Sequence, residues 1–145
     1  MAPLIEVSQN YGLIITTHSS EPVGHTYQGK GQTGPKTLWR FVGNFPDAIL
    51  VCAHWGGGLP FYAMMPEVKK ALKNVYFDTA ASPLLYDPQI FSVATSIVGA
   101  NRVLFGSDSP LVSPGRLLSQ IKKASLSEME KASISGENAA HLLNI

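Results

Sequence analysis

Four short apolar runs, each separated from the next by a longer amphipathic stretch, constrain this chain more than any other feature. They occupy residues 13–17, 48–53, 74–79 and 102–105. Each is rich in β-branched, aromatic or aliphatic residues, carries no internal proline, and lacks clean polar alternation. That pattern predicts strands covered on both faces, as in parallel sheets. Helix signals fill the intervals. Residues 5–10 read as a short helix stopped by Gly12. Pro35 opens a helix carrying Leu38, Trp39 and Val42. Phe61, Met64, Met65, Val68 and Leu72 form a helical stripe between the second and third runs. Asp87-Pro88 and Ser113-Pro114 each place a capping side chain before a proline suited to the first helical turn. Ser127 and Glu130 have capping-box spacing, and residues 137–143 predict a closing helix. The order is therefore βα repeated four times, which implies a parallel sheet with right-handed crossovers. An open doubly wound sheet and a piece of a (β/α)8 barrel both satisfy it.

Composition narrows the function classes. At 145 residues the chain suits one domain, 1–145. Hydrophobic residues make up 45% and charged residues 14%, the reverse of a disordered balance. A net charge of +1 gives no electrostatic case for nucleic acid or an anionic membrane surface. No apolar run approaches membrane-spanning length, and the start lacks the basic-then-apolar order of a signal peptide. The single cysteine, Cys52, cannot form an internal disulfide and predicts a reducing, cytoplasmic setting. Its apolar flanks predict a core position.

Chemically capable residues close the apolar runs: His18, His54, Asp78 with Thr79, and Asp108. Active sites in α/β folds gather at the carboxyl ends of parallel strands. Strand alternation groups Ile14, Thr16 and His18 on one face, and likewise Leu50, Cys52 and His54. Two imidazoles and a carboxylate at neighbouring strand ends suit either metal binding or acid–base work. Against this stands the plain alternative that a strand-end histidine is a hydrogen-bonded structural residue. Residues 19–34 form a long segment holding Glu21, His25, Tyr27 and Lys30, expected to meet substrate together with Trp55 beside His54, although its length alone equally fits a plain surface loop. Gly56-Gly57-Gly58 is open to two readings, a ligand-facing backbone or a tight turn.

Asn44-Phe45-Pro46-Asp47 leading into Ala53-His54-Trp55-Gly56-Gly57 resembles the strand-six signature of the amidohydrolase-2 family. This family comprises metal-dependent hydrolases and decarboxylases related to aminocarboxymuconate-semialdehyde decarboxylase. Asn74-Val75-Tyr76-Phe77-Asp78 resembles its strand seven, and Val103-Leu104-Phe105-Gly106-Ser107-Asp108-Ser109-Pro110 its strand eight. Thr17-His18 resembles strand five, and Glu137-Asn138-Ala139-Ala140 the closing helix. The resemblance implies an α/β chain equivalent to strands five to eight of a TIM barrel. It implies His18 and Asp108 as metal ligands, with Asp108 also able to handle the proton of bound water. His54 would orient or activate substrate or water. The implied cofactor is a divalent metal, zinc first and manganese second, and the implied substrate a small organic molecule.

One departure bears on all of this. The family's His-x-His pair of strand one is absent, since the histidines stand at 18, 25, 54 and 141. A full barrel takes about 250 residues. Half a barrel would expose its inner face and both sheet edges. The expected partner is a second copy, or a chain supplying the missing half. A catalytically inactive binding or assembly module that keeps the half-barrel pocket is the alternative.

Overall fold

All four apolar runs become strands in the computed structural model, which describes residues 2–145. They are β1 (Ile15–Thr17), β2 (Leu50–Cys52), β3 (Val75–Asp78) and β4 (Val103–Leu104). They form one parallel sheet in the order β1-β2-β3-β4. A doubly wound sheet reverses strand order at a switch point. Consecutive order without reversal is the barrel arrangement, in which every crossover helix lies on the same side.

Register identifies that side. Leu50, Cys52, Val75, Phe77 and Val103 point into the main core, where they meet Leu38, Val42, Phe91, Ala94, Leu117 and Ile121 from the helices. The alternate positions Thr16, Val51 and Tyr76 lie abreast on the other face, with Leu104 beside Asp78. None of these four belongs to the main core cluster, although Val51 and Leu104 are buried. Thr16 is exposed there, on an edge strand with a single partner. This is the inner surface of a barrel cut open.

Local sequence explains the helices and where they stop. Helix α1 (Ala2–Asn10) ends at Gly12, whose φ of +63° turns the chain back so that Leu13 N–H donates to Ser8 O. Helix α2 (Pro35–Asn44) starts at its proline and buries Leu38 and Val42, while Trp39 is partly exposed. The stripe expected over 61–72 is two helices instead, α3 (Leu59–Tyr62) and α4 (Pro66–Ala71). Pro66 forces Met65 into extended backbone, which breaks the helix. Val68 and Leu72 are buried, whereas Phe61, Met64 and Met65 face solvent. Helix α5 (Ser82–Leu85) follows β3. Asp87 does not cap the next helix directly: its Oδ1 accepts from Gln89 N–H in a turn, and α6 (Ile90–Val98) starts after it. Helix α7 (Pro114–Lys123) is capped by Ser113, whose hydroxyl accepts from Arg116 N–H.

Ser127 and Glu130 form the full capping box of α8 (Glu128–Ala132). A wide π-type turn, Ser133–Glu137, then buries Ile134 and leads into α9 (Asn138–Leu143). Asn138 Nδ2 donates to Ala100 O (2.7 Å) and Val103 O (2.8 Å), fastening this last helix to the start of β4. That contact lies at the amino ends of the strands, opposite the candidate site. Among the described residues, no helix is long and apolar enough to cross a membrane.

Candidate functional site

The carboxyl ends of the strands open into a cleft of about 670 Å³ lined by His18, His54, Asp108, His25, Tyr27 and Leu84, among others. His18 follows β1, His54 follows β2 and Asp108 lies beyond β4. The three strand-end residues expected to converge therefore share one cavity. The His18 and His54 rings meet edge to face, with centroids 4.9 Å apart.

His54 arrives there by a route that strand alternation does not predict. Leu50 and Cys52 face the helices, so continued alternation would carry His54 away from the cleft. The chain leaves β2 in a left-handed turn instead. His54 and Trp55 have φ of +55°, and Gly56 and Gly57 +59°. Left-handed backbone costs a non-glycine residue about 1–2 kcal/mol, so surrounding contacts must hold two such residues in place. Trp55 is wholly buried, donates from Nε1 to Ser82 Oγ (2.7 Å) and packs edge to face on Phe91. Trp55 was expected to meet substrate; the same turn sends it into the core. The glycines serve packing: a Cβ on Gly56 would meet the Phe77 ring at 3.0 Å, and one on Gly57 would collide with the Ser20 carbonyl. Of the two readings of this triplet, the tight turn is the one built.

Two hydrogen bonds orient the histidines. His54 Nδ1 lies 3.2 Å from Ala80 O. A carbonyl can only accept, so Nδ1 carries the proton and Nε2 is left to exchange one. His18 Nε2 lies 2.8 Å from Ser20 Oγ, and that oxygen accepts from Gly31 N–H (2.9 Å).

The long loop folds over this end of the sheet. Lys30 Nζ donates to the carbonyls of Val23 (2.9 Å) and His25 (3.0 Å), closing the loop on itself. Tyr27 donates to Glu21 Oε2 (3.1 Å), and its ring lies tilted against His25 with centroids 5.4 Å apart. His25 and Tyr27 line the cleft. Glu21 and Lys30 line a separate groove beside Pro35 and Tyr62, so they shape the loop from behind. Burial raises the Tyr27 pKa, and the neighbouring Glu21 adds to the rise while a hydrogen bond with Ser20 opposes it. Burial raises Tyr86 further, again with Glu21 contributing.

Asp78 was noted only as a strand-end residue. Its Oδ1 accepts from His54 N–H (2.8 Å) and Ala80 N–H (3.0 Å). Burial raises its pKa, while those two bonds and the His54 charge pull it down and Asp108 pushes it up. Its position at the end of β3, equivalent to the ends carrying the histidines, was the signal available in the sequence.

The residues present do not by themselves complete a metal site. Among the described residues no group of three or more His, Cys, Asp or Glu side chains is placed to hold an ion. The Nε2 of His18 is engaged by Ser20. A closed zinc shell takes four ligands, and a catalytic one takes three from protein.

A singly wound parallel sheet with polar residues gathered at its carboxyl ends defines part of a (β/α)8 barrel. The family model described as amidohydrolase matches residues 2–145, and the chain belongs to that family. Solved structures share the fold. With 5-carboxyvanillate decarboxylase from Sphingomonas paucimobilis the TM-score is 0.78 at 17% identity, covering 99% of this chain and 52% of that one. With dihydroxybenzoic acid decarboxylase from Polaromonas sp. JS666, solved with manganese and the inhibitor 2-nitroresorcinol, it is 0.78 at 20% identity, covering 98% and 53%. With a zinc-bound amidohydrolase from Burkholderia multivorans it is 0.69 at 17% identity, covering 99% and 57%. This chain thus spans about half the length of the structures it matches.

Proposed function

We propose that this chain supplies the second half of the active site of a metal-dependent hydrolase or decarboxylase acting on a small organic acid. The observation that carries the reading is the convergence of His18, His54 and Asp108 on one cleft at the strand ends. Membership of the amidohydrolase family supports it. The imidazoles suit a substrate carboxylate, and Leu84, Leu85, Leu111 and Tyr27 suit an apolar or aromatic body. Hydroxybenzoates are therefore the first substrates to try, since solved relatives of this fold act on them.

In this reading His54 exchanges a proton through Nε2, the nitrogen its bond to Ala80 leaves free. His25 and Tyr27 close over the substrate. Glu21 and Lys30 hold the loop that presents them. His18 and Asp108 would be two donors to a divalent ion, zinc or manganese, whose remaining ligands come from outside the residues described. A further half-barrel, either a second copy or a chain carrying the earlier strands, would cover Thr16 on the inner face and the single-partnered edges of β1 and β4. The lone buried cysteine supports a reducing, cytoplasmic setting.

The test is metal content per chain by plasma mass spectrometry, after purification without chelators or a His-tag, with turnover of 2,6-dihydroxybenzoate, esters and lactones. His18→Ala and Asp108→Asn should both lower metal retention and abolish turnover. Full turnover in either variant sinks the assignment. The second reading is an inactive binding module that keeps the half-barrel pocket. Under it, ligand binds the cleft without metal, and no substrate turns over.

A further inference from the structure

We infer that Asp78 is a positioning residue that sets both the aim and the tautomer of His54, through one carboxylate oxygen shared between His54 N–H and Ala80 N–H. The inference rests on the reading that His54 works in the cleft.

The geometry forms a closed circuit. Asp78 ends β3 on the inner face, abreast of Leu104. Its Oδ1 accepts from the backbone of His54 at 2.8 Å, which holds the left-handed turn that brings the imidazole round to His18. The same oxygen accepts from Ala80 N–H at 3.0 Å. Ala80 is the residue whose carbonyl accepts from His54 Nδ1 at 3.2 Å. One oxygen therefore fixes the backbone that carries the ring and the residue whose carbonyl accepts the ring's hydrogen bond. Two backbone donors meeting on one oxygen suit a group that holds strained backbone in place. Gly106 seats the carboxylate: a Cβ there would lie 3.2 Å from Asp78 Cγ and 3.4 Å from Oδ2. The glycine before Ser107-Asp108 thus has a reason in packing against Asp78.

The measurement is the tautomer of His54 in the full chain, read from long-range 15N–1H correlations with 15N-histidine labelling above the imidazole titration range. The resonance is assigned by its absence in His54→Gln. The wild type should show the Nδ1–H form. Asp78→Ala should shift the tautomer ratio toward Nε2–H by about fivefold, the ordinary net worth of a hydrogen bond. Asp78→Asn, whose amide oxygen can still accept both N–H groups, should keep the Nδ1–H form. Gly106→Ala moves the carboxylate without removing it and should shift the ratio in the same direction as Asp78→Ala, should that variant not fold. A wild type in the Nε2–H form overturns the inference outright. So does a folded Asp78→Ala or Gly106→Ala protein with the wild-type ratio. Turnover does not enter this readout, so the inference and the proposed activity can fail separately.

Discussion

The rings of His18 and His54 meet at 4.9 Å although their strands, followed by simple alternation, would send them to opposite faces of the sheet. The left-handed turn after β2 resolves the conflict. It rotates His54 to the inner side and Trp55 into the core in consecutive residues. The meeting of these two imidazoles thus depends on backbone conformation as much as on the identity of the side chains.

Gly57 is the most vulnerable point of that turn. It has φ of +59°, and any Cβ there would strike the Ser20 carbonyl. Gly57→Ala should destabilise by about 2–4 kcal/mol, combining left-handed strain with overpacking. It should also move Ser20 and therefore His18, whose Nε2 bonds Ser20 Oγ. Urea denaturation checks the first effect. A loss below about 0.5 kcal/mol, the range of ordinary surface changes, would mean that the turn is looser than described.

Trp55 and Trp39 should separate by fluorescence. Trp55 is 0% exposed and Trp39 is 39% exposed. Trp39→Phe should leave emission that is blue-shifted and resistant to iodide. Trp55→Phe should leave emission that iodide quenches. It should also cost about 1 kcal/mol for the lost bond to Ser82. Iodide quenching of the Trp39→Phe protein to the level of free tryptophan would place Trp55 at the surface, and would restore it as a candidate for substrate contact.

The element order could be read from the chain because its signals are local. Apolar runs mark the strands, and Pro35, Ser113-Pro114 and the Ser127–Glu130 box mark helix starts. The break at Met65 was also local, since Pro66 encodes it, but hydrophobic spacing masked it. The fate of Trp55 was not local. Nothing in Ala53-His54-Trp55-Gly56 states that the tryptophan turns inward, because Ser82 and Phe91, far along the chain, hold it there. Asp78 was visible as a strand-end residue, but its bond to His54 was not. Its partners at His54 and Ala80 are brought together only when β2 and β3 pair. Whether the sheet was doubly wound or barrel-like turned on strand order, which a count of βα units does not contain.

Cys52 should be inert in the folded protein. It is buried against the core, and burial, with some help from Asp78, pushes its thiol up to about 12. Only the thiolate reacts with alkylating agents, so labelling by iodoacetamide at pH 8 should wait on unfolding and follow its denaturant dependence. The linkage sign follows from the raised value. Between the thiol's ordinary range near 9 and about 12, the native state keeps a proton that the unfolded state loses. Stability therefore falls as pH rises through that window and is unaffected below it. Cys52→Ala should flatten the alkaline slope. Rapid stoichiometric labelling under native conditions would contradict the burial.

Asn138 offers the cleanest separation of stability from chemistry. Its amide nitrogen serves the carbonyls of Ala100 and Val103 at the end of the sheet opposite the cleft. Conservation of function at the carboxyl ends and of stability at the amino ends is the general division of labour in this architecture. Asn138→Ala leaves both carbonyls without their donor and should cost about 1–3 kcal/mol. Asn138→Asp should cost at least as much, because an ionised carboxylate has no donor and would face two acceptors. Neither variant should change the His54 tautomer, since Asp78, Ala80 and His54 share no hydrogen bond with α9. Denaturation midpoints give the first result and histidine 15N spectra the second. An altered His54 signature in a folded Asn138→Ala protein would mean that strain passes along β4 from one end of the sheet to the other, and the two ends could no longer be treated as independent.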